Sequence, residues 1–111
     1  MKLSRDPIPS GTLEMLVLTT LDRRGELHGF EIASQIERTS SEVLRVEEGS
    51  LYPALQRMLV KGWIAGEWSR TGDNRRARYY RLTAAGRREL ARQVAAYQRV
   101  SGAIARVLEM A

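Results

Sequence analysis

Apolar residues between Gly49 and Gly62 recur with the period of a helix. Their spacings of four, three and one put the following residues on one helix face: Leu51, Leu55, Met58 and Leu59. Ser50 can cap the start of this helix with its side-chain oxygen, and Gly62 can end it in a left-handed conformation. Pro53 is compatible with the first turn, where its missing N–H has no partner to lose. The pattern predicts an amphipathic helix.

The opposite face of this helix is small and polar at its N-terminal end and basic in its middle. Counted at about 100° per residue, it holds Pro53, Gln56, Arg57 and Val60, with Gly49 and Ser50 on its flanks. Such a face fits a recognition helix that enters a DNA groove. Taken alone, the pattern fits an ordinary amphipathic helix with a solvated polar side better, so the rest of the chain decides between the two.

The N-terminal part of the chain predicts a short arm and a first helix. Two prolines indicate that residues 1–9 are irregular. Ser10 or Thr12 can cap the helix, which we expect to end near Gly25. Its apolar side is predicted to consist of Leu13, Leu16, Val17, Thr20 and Leu21.

A second helix is predicted from Phe30 to about Arg38, opened by His28, with its inward positions at Ile32, Ala33 and Ile36. His28 is the single histidine. One isolated histidine is far more often a packing or capping residue than a metal ligand or a base. Residues 42–48 are expected to connect this helix to the next.

After Gly62 the period changes to two, which is typical of strands. Residues 63–68 and 78–82 are the two predicted strands, and Gly72-Asp73-Asn74 between them supplies the turn. We expect the strand aromatics to pack in the core and the hairpin rather than to stack on nucleotides. Three helices followed by a β-hairpin predict a winged helix-turn-helix, mainly α with a small hairpin.

Thr83 is a natural N-cap for a long helix that begins at Ala84 and runs nearly to the end of the chain. It carries a heptad-like stripe of Leu90, Val94, Tyr97, Ile104 and Leu108, with Ser101 in the remaining position. Little chain is left to cover this stripe, so a second copy is the economical partner; docking on the first helix is the alternative. We therefore predict a DNA-binding winged helix-turn-helix domain at residues 1–83 and a dimerisation helix at residues 84–111.

Positive charge is concentrated in one segment of the chain. The net charge of the 111 residues is +5, yet residues 70–92 alone hold eight arginines against two acidic residues. Arginine outnumbers lysine sixteen to two, and its planar fork suits phosphate and guanine edges. Double-stranded DNA is therefore the predicted partner.

The composition also argues against other classes of protein. Without cysteine, disulfides, thiolate metal sites and cysteine nucleophiles are excluded, which suits a reducing cytoplasm. No apolar run approaches a membrane span, and no signal-peptide core is present, so no membrane partner is expected. With one histidine, no metal-spaced cluster and no phosphate-cradling glycine loop, neither an enzyme nor a bound cofactor is predicted.

Four stretches of the sequence carry a family resemblance: Gly11-Thr12-Leu13 with Leu16-Val17-Leu18, His28-Gly29-Phe30-Glu31-Ile32, Glu48-Gly49-Ser50-Leu51-Tyr52-Pro53-Ala54-Leu55, and Arg75-Arg76-Ala77-Arg78-Tyr79-Tyr80-Arg81-Leu82-Thr83-Ala84-Ala85-Gly86. Over residues 10–90 the chain resembles the PadR-type bacterial transcriptional regulators, with Phe30 where that family commonly has tyrosine. The resemblance implies a dimeric winged-helix repressor of the short type, in which the terminal helix makes the dimer.

The helical pattern, the basic hairpin and the family resemblance together predict a sequence-specific transcriptional regulator, a repressor that binds a palindromic operator as a homodimer. A winged-helix module for protein–protein contact is the alternative, and the arginines of the hairpin argue against it. The predicted DNA contacts are Ser50, Tyr52, Pro53, Gln56, Arg57, Lys61, Asn74, Arg75, Arg76 and Arg78. A small-molecule effector is a further candidate partner, with Tyr97 lining its pocket; the alternative is that Tyr97 packs in the dimer seam.

Overall fold

A computed structural model describes residues 6–9 and 11–109 of the chain. Its four helices are α1 Leu13–Arg24, α2 Gly29–Thr39, α3 Glu48–Val60 and α4 Ala84–Glu109. Its five strands are β1 Asp6–Pro7, β2 Leu27–His28, β3 Leu44–Arg45, β4 Ile64–Arg70 and β5 Arg76–Leu82. The predicted winged helix-turn-helix followed by a long helix is confirmed. No helix in the described ranges is both long and apolar enough to cross a membrane.

The hairpin forms one edge of a small antiparallel sheet. β5 lies between β4 and β2, and the β4–β5 register runs from Ile64 opposite Leu82 to Arg70 opposite Arg76. The inner ends of the two strands are anchored in the core by Ile64 and Tyr80, both buried. The outer end extends the hairpin away from the helices, and this extension is the wing.

The core lies where the inward faces of α1, α2 and α3 meet. Burial confirms the predicted face of α3, since Leu51, Leu55 and Met58 are almost fully buried. On α1 the buried set is Met15, Val17, Leu18 and Leu21, while the predicted Leu13, Leu16 and Thr20 are only half-buried. The difference arises because α1 contacts α2, α3, β5 and α4 together, so apolar residues are needed around most of its circumference.

The starts of two helices follow the predicted capping chemistry. His28 caps α2 reciprocally with Glu31: the Glu31 N–H donates to Nδ1 of His28 over 3.4 Å, and the His28 N–H donates to Oε1 of Glu31 over 3.0 Å. At α4 the Gly86 N–H donates to Oγ1 of Thr83 over 3.0 Å. The single histidine is therefore a capping residue.

Two predicted caps and the N-terminal arm require correction. Ser50 does not cap α3, because the helix begins earlier, at Glu48, and Ser50 lies inside its first turn. Thr12 occupies the N-cap position of α1, but its hydroxyl donates to the Pro9 carbonyl over 2.7 Å instead of accepting from the helix. Ser10 and residues 1–5 lie outside the described residues.

Part of the predicted irregular arm is a strand, because β1 pairs in parallel with β3. The Asp6 N–H donates to the Val43 carbonyl over 2.7 Å. The second element of this pair, β3, lies within the segment that the sequence predicts to be a connector. Shortly before α3 begins, the Val46 N–H donates to Oε2 of Glu37 over 2.9 Å.

The stripe on α4 divides into two parts. Leu90 is buried and Val94 packs against the same core, so the first part docks within the chain, on the side of α1. A close approach holds α4 here, since a Cβ on Gly86 would lie only 1.9 Å from the Trp63 carbonyl oxygen. Beyond this point the apolar residues are exposed: Tyr97, Val100, Ile104, Val107 and Leu108. We call these five residues the exposed stripe.

Candidate DNA-binding surface

The outward face of α3 is exposed as the helical period predicts. Because Leu51, Leu55 and Met58 hold the opposite face in the core, the polar and basic positions face away from the domain. The exposed positions on this side are Gly49, Ser50, Pro53, Gln56, Arg57 and Val60. Gly62 ends the helical segment with a φ of 76°, as predicted. A helix packed in this way can enter a groove of DNA without disturbing the core.

Arg57 is held on this face by a residue of α1. Its Nε donates to Oε2 of Glu14 over 3.1 Å, and its side chain is 56% exposed. An exposed ion pair of this kind contributes at most about 1 kcal/mol to stability. Its larger effect is geometric, because it orients the guanidinium and leaves the terminal N–H groups available to an acceptor. The sequence gives no signal for this contact, which joins residues 43 positions apart.

The tip of the wing is a tight, hydrogen-bonded turn. The Thr71 N–H donates to the Arg75 carbonyl over 2.8 Å, and Asn74 takes a φ of 66°. Asparagine tolerates this left-handed conformation better than most residues. The Thr71 hydroxyl donates to the Asp73 carboxylate, and that bond and the nearby Arg75 lower the pKa of Asp73. Arg75 pairs with Asp73 over 3.1 Å, so part of its charge is offset within the turn.

Two further arginines of the wing lie against Trp68. The guanidinium carbon of Arg76 is 4.7 Å from the centroid of the Trp68 ring, and that of Arg78 is 6.0 Å from it. Arg78 crosses over Gly66, where a Cβ would come within 2.6 Å of Nε. Trp68 is 57% exposed, so it packs on the hairpin arginines and not in the core. The aromatic ring holds the cationic groups of the wing in place.

A groove of about 500 Å³ separates α3 from the wing. Tyr52 and Gln56 line it on the α3 side, and Trp68, Arg76 and Arg78 line it on the wing side. The Tyr52 ring also closes against Gly29, where a Cβ would lie 3.0 Å from ring atom Cε1. With 46% of its surface exposed, Tyr52 is part packing residue and part groove wall. Burial raises the pKa of Tyr80 at the floor of the groove.

Lys61 stands apart from the other predicted DNA contacts. It occupies the C-cap of α3, and its Nζ lies 4.5 Å from the centroid of the Trp63 ring. It is also close enough to Glu89 of α4 to contribute, after Arg92 and Gln93, to lowering the pKa of that carboxylate. The structure thus places Lys61 toward α4.

A second groove, of about 350 Å³, lies between the start of α1 and the exposed stripe. Its walls include Met15 from α1 and Gln93, Tyr97 and Val100 from α4. This is where the sequence places a candidate effector pocket. In the described ranges, no group of three or more His, Cys, Asp or Glu side chains is arranged to hold a metal ion.

An exposed polar helix beside a hairpin that presents arginines defines a winged-helix protein of the DNA-binding class. The chain belongs to the PadR-like family of transcriptional regulators, whose family model matches residues 17–92. The resemblance inferred from the sequence is therefore confirmed.

Individual relatives agree with this assignment. A transcriptional regulator of Mycobacterium tuberculosis is 38% identical over 65 residues, covering 59% of this chain and 57% of that protein. A PadR family regulator from Eggerthella lenta has a similar structure, with a TM-score of 0.75 and 30% identity over 91% of this chain and 85% of that one. Bacillus subtilis PadR in complex with operator DNA gives a TM-score of 0.65 and 26% identity over 75% of this chain and 47% of that one.

Proposed function

We propose that the protein is a repressor that binds a palindromic operator as a homodimer in the cytoplasm. The observation that carries the proposal is the groove between α3 and the wing. Gln56 of α3, whose amide can bind a base edge, lies on one wall, and arginines lie on the other. The similar structure of Bacillus subtilis PadR with operator DNA supports it.

In this proposal α3 contacts base edges in the major groove. Arg57 makes the specific contact, because a guanidinium can donate two hydrogen bonds to guanine. Gln56 lies beside it, and Ser50, Tyr52 and Pro53 extend the contact toward the start of the helix.

The wing contacts the sugar–phosphate backbone or the minor groove. Arg76 and Arg78 are presented by Trp68, while Asn74 and Arg75 lie at or beside the tip. Contacts of this kind fix the position of the protein on the duplex and make binding strongly dependent on salt. Lys61 lies at the end of α3, against the Trp63 ring and near Glu89 of α4, so we assign it no direct contact.

A second copy of the chain is proposed to cover the exposed stripe. One recognition helix and one wing contact only a few base pairs, which is too little to select a site in a genome. Two copies related by a two-fold axis place two such helices about one turn of DNA apart. Ser101 lies between Tyr97 and Ile104 of the exposed stripe along the helix, whereas Leu90 and Val94, which the sequence also assigns to the dimer, pack within the chain. An effector would bind beside Tyr97, between α1 and this interface.

The proposal is tested by selecting bound sequences from random duplex DNA with the purified protein. We expect an enriched palindrome whose affinity falls steeply with ionic strength. No enriched sequence, together with binding that is insensitive to salt, would favour the alternative of a protein–protein contact module.

A further inference from the structure

Phe30 is a large apolar side chain that does not contribute to the core. It is the second residue of α2 and is 71% exposed. It precedes the buried Ile32 by two positions, so at about 100° per residue the two side chains lie on nearly opposite faces of the helix. Single exposed apolar residues are common on protein surfaces, so the position of Phe30 is more informative than its exposure.

The backbone that carries Phe30 is held from two sides. His28 pairs with Tyr79 of β5 in the sheet, and the two rings pack edge to face with their centroids 5.2 Å apart. From the other side, the Tyr52 ring of α3 closes against Gly29. The Phe30 ring lies 6.4 Å from the His28 ring, centroid to centroid. Phe30 therefore extends from an anchored part of the chain, between the sheet and α3.

Phe30 lines the same groove as Gln56 of α3 and the arginines of the wing. The permanently charged side chains of this groove are Arg75, Arg76 and Arg78, and no described acidic residue lines it. Its charge therefore suits a polyanion. Phenylalanine has no hydrogen-bonding group, so it can contribute only an apolar contact to that partner. In the major groove of DNA, the apolar feature that distinguishes one base from another is the C5-methyl group of thymine.

We propose that Phe30 is a specificity residue that contacts the C5-methyl group of a thymine, at or beside the base pair that Gln56 contacts. A glutamine amide can bind N6 and N7 of adenine, and the thymine methyl group faces the same groove of the duplex. Side chains from α2 and α3 then recognise an A·T pair or two neighbouring ones together. This inference rests on the proposed binding of DNA and adds a base contact from outside α3.

Replacing thymine with uracil tests the contact, because uracil lacks only the methyl group and pairs with adenine in the same way. Each thymine of the selected duplex is replaced in turn, and the affinities of the wild type and of Phe30→Ala are measured by fluorescence anisotropy. We expect one replacement to weaken wild-type binding about fourfold, as for the loss of one buried methyl-sized group. The same replacement should leave the affinity of Phe30→Ala unchanged. Val43→Ala, which alters a half-exposed apolar residue outside this groove, should keep the full uracil effect.

The possible outcomes separate this inference from the proposed function. Absence of any enriched sequence in the selection contradicts the proposed function itself. With a selected site in hand, the inference is overturned if uracil has no effect on the wild type, or if its effect persists in Phe30→Ala. Weaker binding of Phe30→Ala with no uracil effect in the wild type would place the ring on the sugar–phosphate backbone instead. Circular dichroism checks that each variant is folded, and Phe30→Ser serves for the same comparison if Phe30→Ala is not.

Discussion

Arg57 of α3 is tied to Glu14 of α1 by a hydrogen-bonded ion pair, with Nε and Oε2 3.1 Å apart. The pair links the helix that we propose to read DNA with the helix on which α4 packs. The Glu14 carboxylate also places a negative charge next to the proposed DNA surface. Glu14 should therefore lower affinity for any DNA while favouring the sequence that Arg57 recognises in its fixed orientation.

Replacing Glu14 with Gln should weaken the sequence preference of Arg57. The variant keeps an oxygen acceptor but loses the charge. Because an exposed charge contributes at most about 1 kcal/mol, we expect affinity for random DNA to rise roughly two- to fivefold. Discrimination between the selected site and random DNA should fall. Fluorescence anisotropy with labelled duplexes at fixed salt measures both quantities. Glu26→Gln, an exposed change beyond the other end of α1, is the charge-matched control; if it behaves identically, the ion pair has no special effect.

The wing should contribute affinity without specificity. Replacing Arg75 and Arg76 together with Ala removes two cations from the hairpin, so specific and non-specific binding should weaken alike. The slope of log affinity against log salt should decrease in magnitude by roughly two. Arg99→Ala with Arg106→Ala, both exposed on α4, should leave the slope unchanged. A wild-type slope in the wing variant would show that the wing points away from DNA.

The exposed stripe should determine the oligomeric state. Charges at Ile104 and Leu108 would be buried without partners in a dimer, which costs several kcal/mol. We expect the Ile104→Glu, Leu108→Glu variant to remain folded by circular dichroism but to sediment as a monomer, whereas the wild type has twice the chain mass of 12.6 kDa. The same two charges at Ala95 and Gln98, outside the stripe, should not dissociate it. A wild-type monomer that still binds a palindrome tightly would contradict the dimer.

Gly86 should be far more sensitive to alanine than Gly102, although both lie in α4. At Gly86 the new Cβ meets the Trp63 carbonyl oxygen at 1.9 Å, so the junction of wing and helix must shift, at a cost of about 1–3 kcal/mol. At Gly102 the nearest atom is 3.8 Å away, and alanine should stabilise the helix by up to about 1 kcal/mol. Chemical unfolding of the two variants measures the difference. Equal stabilities would mean that α4 does not need this close approach.

The helical and alternating periods predict most of this fold, because each period arises from the burial of one face of a helix or strand. The outward face of α3 and the arginine-bearing hairpin follow from those periods directly. Contacts between distant segments do not. Nothing local indicates that β3 pairs with β1 or that Glu37 binds the Val46 N–H, and these two contacts accompany the early start of α3 at Glu48. Likewise, the sequence gives one continuous stripe on α4, and the docking of Leu90 against the core divides it.

Arg57→Ala tests the central claim most directly, that the outward face of α3 reads DNA sequence. Affinities of wild type and variant are measured by anisotropy on the selected duplex and on a random duplex, with Arg99→Ala as the charge-matched control. We expect a loss of about 1–3 kcal/mol on the selected site, a clearly smaller loss on random DNA, and relaxed preference at one base pair of each half-site. Equal losses on both duplexes would contradict the claim, since Arg57 would then contact only phosphate.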